Sequence, residues 1–195
     1  MTTEDKKIYL LLMHTKTIPS KIVKLFTRYA SSHVAIALDK DCETVYSFGR
    51  RKLNSILNGG FSVEKRDGAF FKKFNQTVCI IYEADVSKEQ YDNLRMTLEN
   101  MQKNIEEYKY DFIGIVPRFF GIPFTIKNRY VCSYFIASLL EENGIYKFEK
   151  PACLTKPKDF ENLKGFKEMI QECEVEIVSP RILSQDDYEI LNERV

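Results

Sequence analysis

Residues 129–143, RYVCSYFIASLLEEN, carry the pattern that decides the fold. Apolar side chains recur there at helical spacing, at Val131, Phe135, Ile136, Leu139 and Leu140. Polar residues 141–143 end the run, and Gly144 follows at the position of a left-handed helix cap. The stretch therefore predicts a largely buried helix with a single cysteine, Cys132, in its first turn.

Cys132 is predicted to lie where a thiolate is favoured. The first amide N–H groups of a helix have no partner within it, and that end carries about half a positive charge. Both effects lower the pKa of a thiol, and Lys127 and Arg129 would act in the same direction. The alternative is a structural role, because free cysteine is among the most often buried residue types. Only a nearby base would make Cys132 a candidate nucleophile.

The composition is that of a globular protein. A chain of 195 residues with 44% hydrophobic and 13% aromatic residues is expected to form one domain over 1–195, with residues 180–195 expected to be mobile. A net charge of +1 gives no argument for a nucleic-acid partner. The apolar run at residues 8–13 is too short for a signal peptide or a transmembrane segment, so a cytoplasmic location is expected.

The cysteines are scattered and odd in number, and no two form a CxxC pair. This pattern argues against a disulfide framework and against a structural zinc site. With only two histidines in the chain, few ligand sets remain, so no metal and no cofactor is predicted. Four of the cysteines have neither a helix start nor a basic context and are expected to be structural: Cys42, Cys79, Cys153 and Cys173.

The rest of the chain predicts a mixture of strands and helices. Two β-rich runs, 31–39 and 43–49, are separated by a turn and predict an antiparallel hairpin. Further strands are expected at residues 7–13, 61–64 (an edge strand), 77–84 and 175–178, and a turn at 58–60. Helices are expected at residues 17–29, 87–108, 109–116 and 158–163, the second opened by a Ser87–Gln90 capping box and the third followed by an aromatic loop.

The search for a base is short, because His14 and His33 are the only histidines. A cysteine nucleophile needs an imidazole to take its proton and later to protonate the leaving group. His33 shares a strand face with Ala35 and Ala37, whose small side chains are expected to leave room for another element beside the ring. His14 fits less well, since it ends a strand next to Thr15 and Lys16. His33 is therefore the predicted general base.

The imidazole in turn needs a polar group to orient it. Ser47 has the parity to share the face of His33 across the predicted hairpin. Glu43 and Glu64 are stronger acceptors by charge, but Glu43 lies at a strand start and Glu64 on a different strand. Spacing leaves all three open. The predicted oxyanion donor is the backbone N–H of Cys132.

Three segments together resemble a known superfamily. The strand SSHVAIAL, the helix opening YVCSYFIASLLEENGI and the segment LTKPKDFENL are similar to the circularly permuted papain-like hydrolases of the NlpC type. In these proteins, which include the YiiX-like amidases and lecithin retinol acyltransferase, the histidine precedes the cysteine. The resemblance implies that His33 is the base and Cys132 the nucleophile. The third position, commonly Glu in the YiiX-like group, falls near Ser47, and Lys156 intrudes before the proline of the closing segment.

The resemblance also implies a fold and a chemistry. The fold is α+β, with a small antiparallel sheet packed against the cysteine helix. The expected activity is that of a cysteine-dependent amidase, or thiol protease-like hydrolase, which cleaves an amide or ester through an acyl-enzyme on Cys132. An acyltransferase with the same dyad, or a non-catalytic ligand-binding module on the same fold, is the alternative. The substrate would be a small-molecule, peptide or lipid-like amide, and aromatic residues 112–124 make an acyl chain conceivable.

Overall fold

A computed structural model describes residues 6–14, 33–50, 59–65 and 78–169 of the protein. These residues form eight strands: β1 (Lys6–His14), β2 (His33–Ala37), β3 (Thr44–Arg50), β4 (Gly59–Lys65), β5 (Val78–Val86), β6 (Lys109–Tyr110), β7 (Arg129–Tyr130) and β8 (Phe166–Met169). They also form three α-helices, α1 (Lys88–Lys103), α2 (Ile115–Phe119) and α3 (Cys132–Glu142), and short 3-10 turns at Ile105–Glu107, Ala152–Leu154 and Pro157–Phe160. The predicted α+β class is confirmed.

All eight strands belong to one sheet in the order β7-β6-β4-β3-β2-β1-β5-β8. Neighbouring strands are antiparallel except β6 and β7, which are parallel. The predicted hairpin is present as β2 and β3, with Ile36 opposite Tyr46 and Ala37 opposite Val45. This hairpin lies near the middle of the sheet and brings His33 and Ser47 onto adjacent strands.

The sheet buries a different set of side chains on each face. On one face Val34, Ile36 and Phe48 pack with the apolar side chains of α1 and α3. On the other face Ala35 and Ala37 pack in a smaller cluster with Tyr9, Leu11, Met13, Cys42, Val45 and Ile81. Helix α3 therefore packs on the face opposite to Ala35 and Ala37, the two small residues with which His33 was expected to share a face. Helix α3 is apolar around most of its circumference, and it buries more area against the large side chains of the opposite face.

Local signals set the ends of the two long helices. The capping box at α1 forms as predicted, because the Gln90 N–H donates to the Ser87 hydroxyl and the Ser87 N–H donates to the Gln90 side chain. Helix α1 ends at Lys103, and the predicted apolar stripe continues into the 3-10 turn after it. Helix α3 ends at Glu142, and Gly144 follows two residues later with a φ of 63°, as predicted for a left-handed cap.

Three predictions in and near β4 were wrong. Gly59 and Gly60, expected in a turn, lie in β4 opposite Arg50 and Gly49. The glycine at Gly59 permits close packing, since a Cβ there would lie 2.9 Å from the Cβ of Tyr110. Strand β4 is also not an edge strand, because β6 pairs with it. Residues 109 and 110 form that strand, where a helix was expected to begin.

Several expected features lie outside the described residues. These are the helix at 17–29, the strand at 175–178, the mobile residues 180–195, Cys173 and the side chain of His14, whose backbone ends β1. Within the described residues, no helix combines the length and the apolar character that crossing a lipid bilayer requires.

Candidate active site

The β2–β3 hairpin opens at the end that carries His33. In the ladder between β2 and β3, Ile36 is opposite Tyr46 and Ala37 is opposite Val45. No further pair forms toward His33. The carbonyl of Val34 accepts instead from the Ser47 hydroxyl at 3.1 Å. A polar side chain thus replaces a backbone partner next to the predicted base. Because the strands separate here, the backbone polar groups of Val34 on this side are available to groups other than the backbone of β3.

Ser47 also holds the ring of His33, with 2.8 Å between Oγ and Nε2. Because the single hydroxyl proton of Ser47 is donated to the Val34 carbonyl, its oxygen accepts from Nε2–H. This pattern assigns the proton to Nε2 and leaves Nδ1 unprotonated. Gly49 lies beside the ring, where a Cβ would be 3.6 Å from Cε1 of His33.

The environment of His33 keeps the ring neutral. Burial lowers its pKa to about 4, because an imidazolium loses hydration when it is enclosed by protein. Burial is the only cause of the shift, so no carboxylate of the described residues acts on the ring. At neutral pH His33 is therefore a free base with its lone pair on Nδ1.

Cys132 is the first residue of α3, after Val131 in extended conformation at the N-cap. Burial raises the pKa of the Cys132 thiol, while hydrogen bonds from the backbone N–H groups of Val34, Ser133 and Cys132 itself act to lower it. The net direction is upward, so the thiolate favoured by the sequence argument is not the resting form. The helix start supplies N–H donors as expected, but the side chain is only 6% exposed and its lost hydration outweighs them.

The structure brings Cys132 to the strand that carries His33. The backbone of Val34, whose N–H belongs to the peptide bond that follows His33, acts to lower the pKa of the Cys132 thiol. No hydrogen bond joins the sulfur to the ring. The site therefore combines a neutral thiol on α3 with a neutral imidazole on β2, a strand against which α3 packs.

A second contact fixes the first turn of α3. The Ser133 hydroxyl donates to the Thr155 carbonyl at 2.7 Å, and the Thr155 hydroxyl lies 3.1 Å from the Ser133 carbonyl. Both residues are buried. Thr155 follows the 3-10 turn Ala152–Leu154, so this turn is tied to the residue after Cys132. The Ser133 N–H that points at the sulfur is held in place by these bonds.

The other predicted candidates lie elsewhere. The Glu43 N–H donates to Asp39 in the turn between β2 and β3, at the far end of the hairpin from His33. Glu64 lies opposite Val45, and burial raises the pKa of its carboxyl. Of the three residues left open by the sequence, Ser47 is the one that contacts the ring. Among the described residues Cys42, Cys79, Cys132 and Cys153 form no disulfide, with Cys79 partly buried and the others buried.

Sequence reasoning missed three contributors to the site. Val34 and Ser133 act through backbone N–H groups, which no residue type signals. Thr155 was quoted within the segment LTKPKDFENL but was given no role, although its hydroxyl is what ties that segment to α3.

Comparison with known proteins gives no relative: no family model, no curated protein and no solved structure matches this chain. The chemistry available to the site follows from its own groups. These are a buried thiol, an imidazole with an unprotonated Nδ1, and three backbone N–H donors around the sulfur.

Proposed function

We propose that this protein is a cysteine-dependent hydrolase on a circularly permuted papain-like scaffold. It cleaves an amide or ester bond through an acyl-enzyme on Cys132, with His33 as general base. The observation that supports this proposal is the Ser47–His33 hydrogen bond, which leaves Nδ1 of the ring unprotonated on the strand whose next residue, Val34, affects the Cys132 thiol through its backbone.

In the first step the sulfur of Cys132 attacks the carbonyl carbon of the substrate. The thiol proton passes to Nδ1 of His33, so the neutral pair becomes an imidazolium and a tetrahedral oxyanion. The backbone N–H of Cys132 donates to that oxyanion, since negative charge moves from the sulfur toward the adjacent oxygen. The imidazolium then protonates the leaving amine or alcohol, and a thioester remains on Cys132.

In the second step water hydrolyses the thioester. His33 takes a proton from the water as it attacks, and returns it to the sulfur when the carboxylic acid departs. The low pKa of His33 makes the ring a weak acceptor for the thiol proton and a strong donor to the leaving group. A weakly basic ring gives its proton readily to the leaving group.

The proposed setting is a reducing compartment such as the cytoplasm. The four described cysteines form no disulfide, and the nucleophile must stay reduced to act. The substrate class is an amide or ester of a peptide, a small molecule or a lipid-like acyl compound.

The test is acyl trapping with p-nitrophenyl acetate, followed by mass spectrometry of the cysteine peptides. Cys153 is a matched internal control, because it and Cys132 are each 6% exposed. Acetylation is expected at Cys132 well before Cys153. His33→Gln is expected to slow acetylation of Cys132 by roughly a hundredfold and to leave Cys153 unchanged.

Equal acetylation of the two thiols, or no effect of His33→Gln on Cys132, would overturn the hydrolase proposal and favour a ligand-binding module. Release of p-nitrophenol beyond one equivalent in plain buffer supports hydrolysis. Release that requires an added amine or alcohol, with the acetyl group found on that acceptor, shows an acyltransferase instead.

A further inference from the structure

The described part of the chain exposes its large apolar side chains in one place. Seven of its eight exposed large hydrophobic residues lie within residues 112–124, here called the apolar tip, and the eighth is Met96 in α1. Phe120 is 72% exposed, Ile113 62% and Phe119 52%. Single exposed apolar residues are ordinary, but a concentration of this kind marks a surface that binds something.

The apolar tip has a defined backbone structure. The N–H groups of Phe120 and Ile122 both donate to the Pro117 carbonyl, and the Gly121 N–H donates to the Arg118 carbonyl. Gly121 makes this reversal possible with a φ of 75°. The rings of Phe119 and Phe120 pack edge to face with their centroids 5.4 Å apart. The apolar side chains are thus presented by a folded loop.

The charge in the apolar tip is neutralised internally. Arg118 is its only charged residue, and the guanidinium forms a buried ion pair with Asp111. Asp111 also accepts from the Gly114 N–H at 2.9 Å. A Cβ at Gly114 would overlap both side chains of the ion pair, so glycine is required there. The outer surface therefore carries phenylalanine, isoleucine and valine without any charge.

Cationic residues flank the apolar tip in the sequence. Lys109 and Arg129 are neighbours across β6 and β7, and Lys127 is exposed just before β7. No acidic residue occurs between Asp111 and Arg129 in the sequence. Glu106 and Glu107 lie a few residues earlier and reduce the local positive charge. Apolar contact is therefore the main attraction that this surface offers, and charge is secondary.

We propose that the apolar tip inserts into the interfacial layer of a lipid bilayer, so that the protein binds membranes peripherally. A bilayer accepts apolar side chains only when the backbone polar groups nearby are satisfied internally. At the turn of the tip the N–H groups of Phe120, Gly121 and Ile122 bond within the loop, and its two prolines have no N–H, so this part of the backbone meets the requirement. The cationic residues that flank the tip match anionic headgroups.

A protein partner fits this surface less well. Protein interfaces pair many hydrogen bonds across a polar rim and an apolar centre. Between Phe112 and Phe124 the only polar side chain is Arg118, which is 7% exposed and occupied by Asp111. The tip offers no side-chain donor or acceptor by which to select a protein.

The apolar tip lies close to the helix that carries the candidate nucleophile, so a bound membrane would be near the candidate active site. The guanidinium carbon of Arg118 lies 5.5 Å from the ring centroid of Tyr134, which is two residues after Cys132 in α3. The proposal does not depend on catalysis, because it predicts binding of the whole protein whatever the role of Cys132.

The test is co-sedimentation with vesicles of phosphatidylcholine alone and of phosphatidylcholine with about a third phosphatidylserine. The wild-type chain is expected to bind both, and to bind the anionic vesicles more tightly at low salt. Phe119→Ser with Phe120→Ser is expected to weaken binding by roughly tenfold or more. Met96→Ser is the matched control, since Met96 is 55% exposed on α1, and it is expected to bind like wild type. Thermal unfolding verifies that each variant is folded.

Failure of the wild-type chain to bind either vesicle overturns the proposal, as does equal binding by the double phenylalanine variant. Sedimentation of the protein without lipid tests the competing occupant of the apolar tip, which is a second copy of this chain. A concentration-dependent dimer that the double variant abolishes would assign the apolar tip to a second copy of this chain and would also overturn the proposal.

Discussion

The hydroxyl of Ser47 and Nε2 of His33 lie 2.8 Å apart, and this contact decides which ring nitrogen can take a proton. The hydroxyl gives its own proton to the Val34 carbonyl and so can only accept from the ring. A carboxylate in the same place would orient the ring and also stabilise the imidazolium. A neutral hydroxyl orients it without adding charge, which is consistent with the low pKa of His33.

Replacing Ser47 by alanine should distinguish the effect of orienting the His33 ring from the effect of burying it. Ser47→Ala leaves the Nε2–H of His33 and the carbonyl of Val34 without their partner, and both tautomers become available to the ring. We expect acetylation of Cys132 by p-nitrophenyl acetate to slow by roughly tenfold. The free energy of unfolding, from urea titration, should fall by about 1–2 kcal/mol.

Ser62→Ala is the control for this change. Ser62 lies directly opposite Ser47 on β4, is also buried, and makes only a long 3.5 Å bond to the Ser47 carbonyl. Its replacement removes the same atom from the same part of the sheet without touching His33. Similar rates for the two variants would show that Ser47 does not position the base.

The buried imidazole makes stability depend on pH. The pKa of His33 is about 4 in the folded protein and near 6.5 in an unfolded chain. Between these values the unfolded state binds a proton that the folded state does not, so stability falls as the pH is lowered. From pH 7 to pH 5 this one group should remove about 2 kcal/mol from the free energy of unfolding. The Cys132 thiol stays protonated in both states over this range and contributes nothing.

Urea titrations of wild type and His33→Gln at pH 7 and pH 5 measure this effect. Other groups titrate in the same window, so the informative quantity is the difference between the two proteins. Wild type should lose more stability than the variant on acidification. An equal loss, or a larger loss in the variant, would mean that the ring is protonated in the folded protein and is not the neutral base that the mechanism requires.

The parts of the site that sequence alone could predict depend on local spacing. The helical spacing of apolar residues placed Cys132 at the start of α3, and the parity of Ser47 on its strand placed it beside His33. Both depend on one helix or one hairpin, whose geometry is nearly fixed by backbone hydrogen bonds. The α+β class was predictable for the same reason, although a sheet of eight strands is larger than the one expected.

The parts that sequence could not predict depend on contacts between distant segments. Parity shows that Ala35 and Ala37 share a face, but not that α3 would cover the opposite one. The start of a helix favours a thiolate, but the burial of Cys132 depends on everything packed around it. Glycine is typical of turns, but pairing with β3 and β6 places Gly59 and Gly60 in a strand.

The bonds between Ser133 and Thr155 give a prediction about the first turn of α3. Thr155→Val removes the hydroxyl that lies near the carbonyls of Ser133 and Ala152 and keeps the side-chain volume. The free energy of unfolding should fall by about 1 kcal/mol. Cys153 lies in the turn that this hydroxyl ties down, so iodoacetamide should label it faster, while acetylation of Cys132 should slow.

Thr97→Val is the matched substitution. The Thr97 hydroxyl bonds to the Asn93 carbonyl one turn earlier in α1, where the bond is exposed to water. Loss of this hydrogen bond should change the free energy of unfolding by no more than about 0.5 kcal/mol. The reactivity of the Cys132 and Cys153 thiols should not change. If Thr155→Val behaves in the same way, the contact does not position the turn that carries Cys132.

The ion pair of Asp111 and Arg118 gives a prediction about the apolar tip. Both side chains are buried, and Nε of Arg118 has no hydrogen-bond partner among the described residues. Asp111→Asn leaves the guanidinium buried without a counter-charge and should lower the free energy of unfolding by about 3 kcal/mol. Asp92→Asn is the control, because Asp92 pairs with Lys88 and Arg95 at the surface of α1, and this variant should lose much less stability than Asp111→Asn.

A double variant shows what the ion pair itself contributes. Asp111→Asn with Arg118→Met removes both charges, and the methionine keeps the apolar stem of the arginine near Tyr134. Breaking a buried pair is more harmful than removing it, so the double variant should recover much of the stability lost by Asp111→Asn. If the losses from the two single changes simply add, the pair is not coupled in solution. The apolar tip would then owe its shape to the backbone bonds at Pro117 and Arg118 alone.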